Sequence, residues 1–322
     1  MSRGVSSGCI AVDTETSGLA FHDEPFCATL SWRTQEGSLR SEYVSLEGVE
    51  RAVNIELLRD VLGQYGVWVF HNAKFDLQKL ALIGALPAGW QQSMVIEDTQ
   101  VIAKLINENE RAGLKHLART VLGEETDEEE VLKKVRRKLK LKKEDGFQHI
   151  PRDVIRPYAM KDTEFTLRLF ETLRPRLPED VFDAYRREIE VTLVLLDMES
   201  HGIGLDLDYL RTTTSEYGTR VMHGWNEIVE LTGKPELNPQ SWQQLQAAFA
   251  DRGVPVDSTA EAALKEVDDD LARAILQYRS DKKMHTTYLK ALLDEQRDGV
   301  VHPWFNVIQA RTGRMSSSSA SQ

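Results

Sequence analysis

The chain has 322 residues, enough for two or three domains, and its acidic excess gives a net charge of -11 and an isoelectric point near 5.3. This net charge argues against a protein that coats nucleic acid through bulk positive charge. It does not exclude a local contact with nucleic acid, because acids gathered at a metal site lower the net charge without covering the whole surface. The cysteines, Cys9 and Cys27, have no paired spacing, which predicts a reducing compartment and neither a disulfide framework nor a zinc site. No apolar run suffices for a signal peptide or a membrane span, so we expect a cytoplasmic protein without a membrane partner.

The first candidate site lies where a short apolar segment meets two acids. Residues 9–12 are apolar or small and predict a buried strand, and Asp13 and Glu15 lie at its end. Side chains on a strand alternate with a period of two, so both carboxylates should point to the same side. Adjacent anions repel each other unless a cation lies between them, and a hard divalent cation fits oxygen ligands. On its own, this pattern is more often an acidic strand end at the surface.

Another acid, Asp76, follows a second buried strand. Alternating strands and helices in the first third of the chain are typical of an α/β fold; we predict strands at residues 26–32, 41–46 and 67–70 and helices at residues 53–62 and 73–85. Asn72 is placed to cap the second helix, and Asp76 lies one turn later, where the helix dipole favours an acid whatever its function. Because this helix begins where a strand ends, Asp13, Glu15 and Asp76 could meet at one edge of the sheet.

Asp162 lies in the middle of an apolar helical stripe. The stripe runs through residues 155–173 and consists of Ile155, Tyr158, Ala159, Phe165, Leu169 and Leu173. A carboxylate on a core-facing stripe is costly unless it is paired or bound to metal. No Lys or Arg shares the stripe at a spacing that would pair with Asp162. We therefore favour a functional role for this residue.

Three acidic motifs follow one another along the chain: D-x-E (Asp13, Glu15), N-x-x-x-D (Asn72, Asp76) and Y-x-x-x-D (Tyr158, Asp162). In this order they resemble the DnaQ-like 3'–5' exonucleases. The resemblance implies an RNase H-like α/β domain with a central mixed sheet. One variant of this family has a histidine five residues before the last acid, where this chain has Pro157. The third motif, with Tyr158, is instead similar to the tyrosine branch. That branch includes the proofreading domains of family A DNA polymerases and the RNase D-like enzymes.

The resemblance also implies roles for the acids. Two divalent metal ions, Mg²⁺ or Mn²⁺, would be held over a phosphodiester by Asp13, Glu15, Asp76 and Asp162. Asp13, Glu15 and Asp162 would hold the metal that carries the attacking water. Asp13 would also reach the second metal, with Asp76 acting largely through water. Tyr158 and Glu15 would orient the nucleophile, and the paired metals would stabilise the leaving 3' oxygen.

A charged segment separates the second and third motifs. Residues 124–130 hold six acids, and residues 133–143 hold eight basic residues. The spacing of the apolar residues between them predicts a helix, and the pairs Glu129/Lys133 and Glu130/Lys134 could stabilise it. We favour a solvated, salt-bridged face over a contact with DNA phosphates.

The rest of the chain predicts long helices with breaks near residues 201–202 and 233–235. It resembles the thumb of family A DNA polymerases and then the first strands of the palm; the matching stretches are residues 188–206, 237–245, 275–288 and 302–318. The resemblance implies an exonuclease domain at residues 1–180, a mainly helical thumb at 181–298 and an incomplete first part of the palm at 299–322.

Contacts with DNA are implied by the same resemblance. Leu19 matches a position that wedges an apolar side chain against the terminal base, although an ordinary core leucine fits equally well. Asn72 would also bind DNA. Arg279, Lys283 and Arg314 would contact the primer–template, Arg314 from the minor-groove side. Without the resemblance, two basic residues four apart on a helix would indicate a solvated face.

The predicted function is therefore proofreading within a family A DNA polymerase, acting on a single-stranded 3' end and on primer–template DNA. An RNase D-like exoribonuclease and a non-catalytic DNA-binding subunit are the alternatives. We expect the polymerase aspartates and fingers in a C-terminal part beyond Gln322, where the family pattern already departs at Ala320. The start of the chain predicts no preceding 5'-nuclease domain, which suggests a phage-type polymerase in a bacterial cytoplasm. Without downstream partners, Trp304 and Phe305 should be exposed.

Overall fold

The computed structural model describes residues 6–125, 127–141, 147–307 and 314–319. It divides into two compact units, the first formed by Met1–His201 with His302–Gln322 and the second by Gly202–Val301. In chain order the elements are β1 (Ser6–Thr16), β2 (Pro25–Arg33), β3 (Leu39–Ser45), α1 (Arg51–Leu62), β4 (Tyr65–Phe70), α2 (Ala73–Leu82), α3 (Trp90–Ser93), β5 (Val95–Asp98), α4 (Thr99–Ile106), α5 (Leu114–Leu122), α6 (Asp127–Leu139), α7 (Arg152–Leu173), α8 (Phe182–His201), β6 (Ile203–Gly204), α9 (Leu207–Thr232), α10 (Trp242–Asp251), α11 (Glu261–Lys265), α12 (Asp270–Lys283), α13 (Ala291–Glu295), β7 (Val300–Val301), β8 (Pro303–Asn306) and β9 (Ser316–Ser319). Short 3-10 turns follow α7, and a π-helical segment, Met284–Lys290, follows α12.

The first unit is built on a mixed sheet. In the described ranges its strand order is β3–β2–β1–β4–β5, with β1 antiparallel to β2 and parallel to β4. The centre of β1 is fully buried from Ile10 to Val12, as expected for a strand with neighbours on both sides. The α/β architecture with a central mixed sheet that the sequence predicts is therefore confirmed.

Strand β1 is longer than residues 9–12. Asp13 pairs with Thr29 of β2 and Glu15 with Cys27, so both acids lie within the strand rather than after it. The pairing continues to Thr16, where the register shifts, and the chain then turns toward β2. The predicted period of two still holds, because one residue separates the two acids on a continuous strand.

Helix α7 lies across the sheet and carries the third motif. Two hydroxyl contacts help to position it: Thr29 donates to the main-chain oxygen of Ala159 at 3.1 Å, and Ser31 donates to the hydroxyl of Thr163 at 2.8 Å. The predicted apolar stripe is buried except at Tyr158, which is half-buried. The helix begins at Arg152, three residues earlier than the predicted start of the stripe.

The second unit is mainly helical, as predicted. Asp206 caps α9 by accepting from the amide of Tyr209, and Gly233 ends that helix in the left-handed conformation, with φ 65°. Helices α9 and α12 pack along each other around Ile228 and Ile275, which are fully buried. The long helices predicted beyond residue 178 are thus present.

Strands β8 and β9 form an antiparallel pair, with Trp304 opposite Ser318. The expectation that Trp304 and Phe305 are exposed is wrong, because both are partly buried in the first unit. The ammonium of Lys74 lies 3.7 Å from the Trp304 ring centroid, and the amide of Phe305 donates to Glu199 at 2.7 Å. None of the helices within the described ranges combines the length and apolar character that a membrane span needs.

Candidate active site

Asp13 and Glu15 on β1 are the centre of an acidic cluster. Burial, followed by the negative charges of Asp76 and Glu15, raises the pKa of Asp13 well above its usual range. The pKa of Glu15 is raised likewise, first by burial and then by the charges of Asp162 and Asp76. Together with the hydrogen bonds that Thr14 donates to Asp76, these mutual effects indicate that the four predicted acids lie near one another. Charges this close and this shielded resist simultaneous ionisation unless cations compensate them.

Asp76 reaches β1 from the first turn of α2. Its carboxylate accepts from the amide of Thr14 at 2.8 Å and from the hydroxyl of Thr14 at 2.7 Å. Burial raises the pKa of Asp76 to about 7, although both hydrogen bonds from Thr14 act in the opposite direction. Thr14 lies between Asp13 and Glu15 in the sequence, so these bonds fix α2 against the acidic part of the strand.

Asp162 approaches from α7. Burial raises its pKa to about 6, while the positive charge of Lys115 and hydrogen bonds from Lys115 and Tyr158 lower it. Tyr158 lies one helical turn earlier, and its ring packs edge-on against Phe147 with 5.9 Å between ring centroids. The Y-x-x-x-D spacing therefore joins the tyrosine to the carboxylate, as the sequence predicts for a helix.

The residue that sequence reasoning missed is Lys115. Its ammonium contacts Asp162 and lies 3.1 Å from the carboxylate of Glu128. We predicted an unpaired Asp162 from the residues of its own helix, but Lys115 belongs to α5, so no spacing along α7 could show it. One signal was present: a lysine in the first turn of a helix lies against the helix dipole and needs another partner.

Four clustered carboxylates form a ligand set that suits hard divalent cations. Two of them currently have other partners, Asp76 with Thr14 and Asp162 with Lys115. Consistent with this, no three acidic, histidine or cysteine side chains in the described part of the chain are already arranged around one point as metal ligands. The type of donor and the charge of the cluster fit metal ions, and both bonds from Thr14 go to the same oxygen of Asp76, so they need not break when a cation binds.

Asn72 occupies the N-cap position of α2 in the left-handed conformation, with φ 80°. Its own side chain makes no capping hydrogen bond. The amides of Asn72 and Ala73 instead donate to Asp98 at 3.1 and 2.7 Å, and Asp98 also caps α4 through the amide of Gln100 at 2.8 Å. Asp98 therefore joins the starts of two helices, and the side chain of Asn72 takes no part in capping α2.

Leu19 lies in the loop between β1 and β2, which we name the Leu19 loop (residues 17–24). It is 54% exposed, so it is not an ordinary core leucine. The fully buried Lys79 of α2 donates to the main-chain oxygens of Ala20 at 2.5 Å and Phe21 at 3.1 Å. The ring of Phe21 stacks on His302, with centroids 3.8 Å apart. The loop is thus held from beneath while its apolar tip faces outward.

Three further residues were predicted to contact DNA: Arg279, Lys283 and Arg314. Arg279 of α12 is partly buried and donates to the main-chain oxygen of Thr259 at 2.5 Å, whereas Lys283 at the end of the same helix is exposed. Both belong to the second unit. Arg314 is exposed and belongs to the first unit, just before β9. A role for these three residues in binding DNA stays a prediction.

The charged segment forms α6, as its spacing predicts. Glu130 pairs with Lys133 at 3.3 Å, one residue earlier than the predicted partner Lys134. The side chain of Glu129 and residues 142–146, which include the last two lysines of the segment, lie outside the described residues. Leu132 is buried against the rest of the first unit, and the guanidinium of Arg136 lies 5.4 Å from the centroid of the Phe147 ring. The other basic residues of the described part of α6 are exposed. A role in binding phosphates stays a prediction.

Comparison with known proteins connects this site to two families. A profile described as "3'-5' exonuclease" matches residues 2–178, and one described as "DNA polymerase family A" matches residues 207–321. DNA polymerase I of Chloroflexus aurantiacus is 33% identical over 270 residues, which are 77% of this chain and 27% of that protein. The DNA polymerase of Mycobacterium phage L5 is 27% identical over 345 residues, 96% of this chain and 54% of that protein. The chain thus spans between about a quarter and about half of these relatives.

A solved structure is similar over nearly the whole chain. The POL domain of Pol1 from M. smegmatis, in complex with DNA primer-template and dNTP, superposes with a TM-score of 0.66 at 22% identity. The match covers 97% of this chain and 51% of that one. At this identity the similarity shows the fold alone.

Proposed function

Because the chain belongs to the 3'–5' exonuclease family of the family A DNA polymerases, we propose that it removes nucleotides from the 3' end of a DNA strand by metal-dependent hydrolysis. The observation that carries the proposal is the convergence of Asp13, Glu15, Asp76 and Asp162, whose carboxyl groups all have a pKa that is raised by shielding from water. Acids with no catalytic use would not be gathered at such a cost.

Two Mg²⁺ or Mn²⁺ ions held by the four acids would supply Lewis-acid activation of water and stabilisation of the leaving 3' oxygen. The chain's own residues have complementary roles. Tyr158 and Glu15 orient the attacking water toward the phosphorus atom. Asp76 keeps α2 in place through Thr14, so that its carboxylate remains at the edge of the cluster. These roles require the acids to be ionised, which the bound cations favour.

The Leu19 loop and Asn72 provide the binding surface for the terminal nucleotide. The exposed apolar side chain of Leu19 packs against the last base. Asn72 lies at the start of α2, and its side chain contacts the backbone of the same strand. In the second unit, Arg279 and Lys283 contact the phosphates of a primer–template duplex, with Arg314 on its minor-groove side.

The related polymerases of bacteria and phages support proofreading during DNA replication in a bacterial cytoplasm as the setting. A further C-terminal polymerase part would be the partner of this activity. An RNase D-like activity on RNA is the second candidate, because the tyrosine motif alone does not distinguish the two sugars. The match of residues 207–321 to family A DNA polymerases favours DNA.

A direct test uses a 5'-labelled single-stranded DNA oligonucleotide with Mg²⁺. We expect a ladder of products shortened from the 3' end, no products in EDTA, and no shortening when the 3' terminus is blocked. The same oligonucleotide made as RNA should be degraded more slowly. Asp162→Asn should lower the rate by roughly 10³-fold or more, because a ligand that stabilises the transition state is lost. Preferential degradation of the RNA would instead support the exoribonuclease.

A further inference from the structure

Lys115 places a positive charge inside the acid cluster. It lies in the first turn of α5, its ammonium contacts Asp162, and the distance to Oε1 of Glu128 is 3.1 Å. The ammonium is also 4.3 Å from the centroid of the Tyr158 ring. The Lys115 side chain is only 14% exposed, so the carboxylates and the ring replace most of its contact with water.

The charge of Lys115 acts beyond its direct partner. It lowers the pKa of Asp13 and Glu15 as well as that of Asp162, against the rise that burial causes in all three. The Lys115 ammonium therefore offsets part of the repulsion between the carboxylates on β1 and the Asp162 carboxylate on α7. A divalent cation among the same oxygens would have this electrostatic role.

The helix itself does not favour a cation at this position. The N-terminal turn of α5 has the positive end of the helix dipole, and shielding from water adds a desolvation cost. The acids must therefore hold Lys115 where it is. A lysine ammonium is a point charge on a flexible stem, so its contact with Asp162 imposes no fixed geometry. Glu128 on α6, with 22% of its side chain exposed, offers an alternative acceptor.

We propose that Lys115 is the internal counter-cation of the acid cluster, and that a divalent cation displaces it from Asp162 toward Glu128. This inference rests on the metal-dependent function proposed above. Metal binding then exchanges one cation for another. Two consequences follow: Lys115 stabilises the metal-free protein, and it weakens metal binding relative to the same acids without it.

Calorimetric titration with Mn²⁺ alone, in the absence of DNA, tests the exchange. Lys115→Met keeps the length of the side chain and removes its charge. The variant should bind Mn²⁺ about tenfold more tightly or better, because a nearby positive charge no longer opposes the metal. In EDTA it should unfold at a lower temperature than the wild type, because the buried carboxylates lose their counter-charge. Lys161→Met removes an equal charge from α7, where the ammonium lies 3.8 Å from Glu164, and should change both values little.

Two further variants keep the test decisive if Lys115→Met fails to fold. Lys115→Arg retains the charge but can hold a carboxylate with two donors, so it should weaken Mn²⁺ binding. Glu128→Gln removes the alternative acceptor and should also weaken Mn²⁺ binding. In the double variant with Lys115→Met, the effect of Glu128→Gln should disappear.

The exchange is refuted if folded Lys115→Met binds Mn²⁺ no more tightly than the wild type, or if Glu128→Gln has an undiminished effect in the double variant. In either case, a wild type that still degrades single-stranded DNA with Mn²⁺ keeps the proposed function. A wild type that neither binds Mn²⁺ nor degrades DNA removes both proposals.

Discussion

Asp76 accepts two hydrogen bonds from Thr14, one from its amide and one from its hydroxyl, at 2.8 and 2.7 Å. The bonds connect the first turn of α2 to the acidic part of β1. Both favour the ionised carboxylate, yet burial still raises the pKa of Asp76 to about 7. This carboxyl group of the acid cluster therefore titrates near neutral pH.

The stability of the metal-free protein should depend on this group. The pKa of Asp76 is about 7 in the folded state and about 3.9 in an unfolded chain, so the folded state binds the proton more tightly. Proton binding by Asp76 therefore stabilises the folded state fully below about pH 4, and this contribution is lost as the pH rises through about 7. Asp76→Asn should remove that loss. In EDTA, the free energy of unfolding of the variant should rise relative to that of the wild type between about pH 5 and about pH 8, by at most about 1.4 kcal/mol per pH unit. A difference that stays constant with pH would contradict this assignment.

Tyr158→Phe should lower the rate of DNA hydrolysis while leaving metal binding nearly intact. The hydroxyl favours the ionised form of Asp162, but it is not one of the four carboxylates. We expect a loss of about tenfold to a hundredfold, smaller than that of any acid variant, since orientation of the water is lost but the cations are retained. Calorimetry with Mn²⁺ and single-turnover kinetics separate the two effects. A loss as large as that of Asp162→Asn would show that the tyrosine has a greater part in the chemistry.

Lys79→Met should loosen the Leu19 loop. The buried ammonium is the donor to two consecutive main-chain oxygens of this loop, Ala20 and Phe21. We expect KM for single-stranded DNA to rise about tenfold with a smaller change in kcat, because the loop positions the terminal base and provides no reacting group.

Lys104→Met is the matched control for this variant. Lys104 also donates to two main-chain oxygens of a loop, those of Glu108 at 3.1 Å and Glu110 at 2.7 Å, and neither residue was predicted to touch DNA. An equal rise in KM for both variants would mean that Lys79 affects general stability and not the loop.

The buried pair Lys74–Glu199 should contribute strongly to the stability of the first unit. The two side chains are 5% and 0% exposed, and Glu199 also accepts from the amide of Phe305 at 2.7 Å. Lys74→Met leaves a buried carboxylate without its counter-charge and should cost about 3–5 kcal/mol. Glu171→Gln, which breaks the half-exposed pair with Arg33, should cost at most about 1 kcal/mol. Similar losses for both variants would contradict the importance of burial.

The sequence allowed much of the fold to be predicted, because the fold depends on local periodicity. The roles of the acids came from the resemblance of three motifs and stay predictions. Alternation along β1 placed Asp13 and Glu15 on one side, and the stripe on α7 showed that Asp162 faces inward. The extension of β1 through Thr16 depends on pairing with β2, which local composition does not reveal.

Contacts between elements distant in the sequence were not predictable in the same way. Lys115 meets Asp162 across 47 positions, and Asp98 caps α2 from 26 positions beyond Asn72. Trp304 was expected to be exposed because its partners were expected downstream of Gln322, whereas it contacts Lys74, which lies far away in the chain. Only the tertiary structure brings such pairs together. The counter-charge of Asp162 and the cap of α2 therefore cannot be read from the sequence motifs.

The central claim is that the acid cluster hydrolyses DNA, and Asp13→Asn tests it most directly. Asp13 interacts electrostatically with the other three acids, whereas Asp60 is exposed on α1 and provides a control with the same chemical change. Single-turnover degradation of 5'-labelled single-stranded DNA with Mg²⁺ should fall by roughly 10³-fold or more in Asp13→Asn. It should remain near the wild-type rate in Asp60→Asn. A folded Asp13→Asn protein that retains near-wild-type activity would contradict the account.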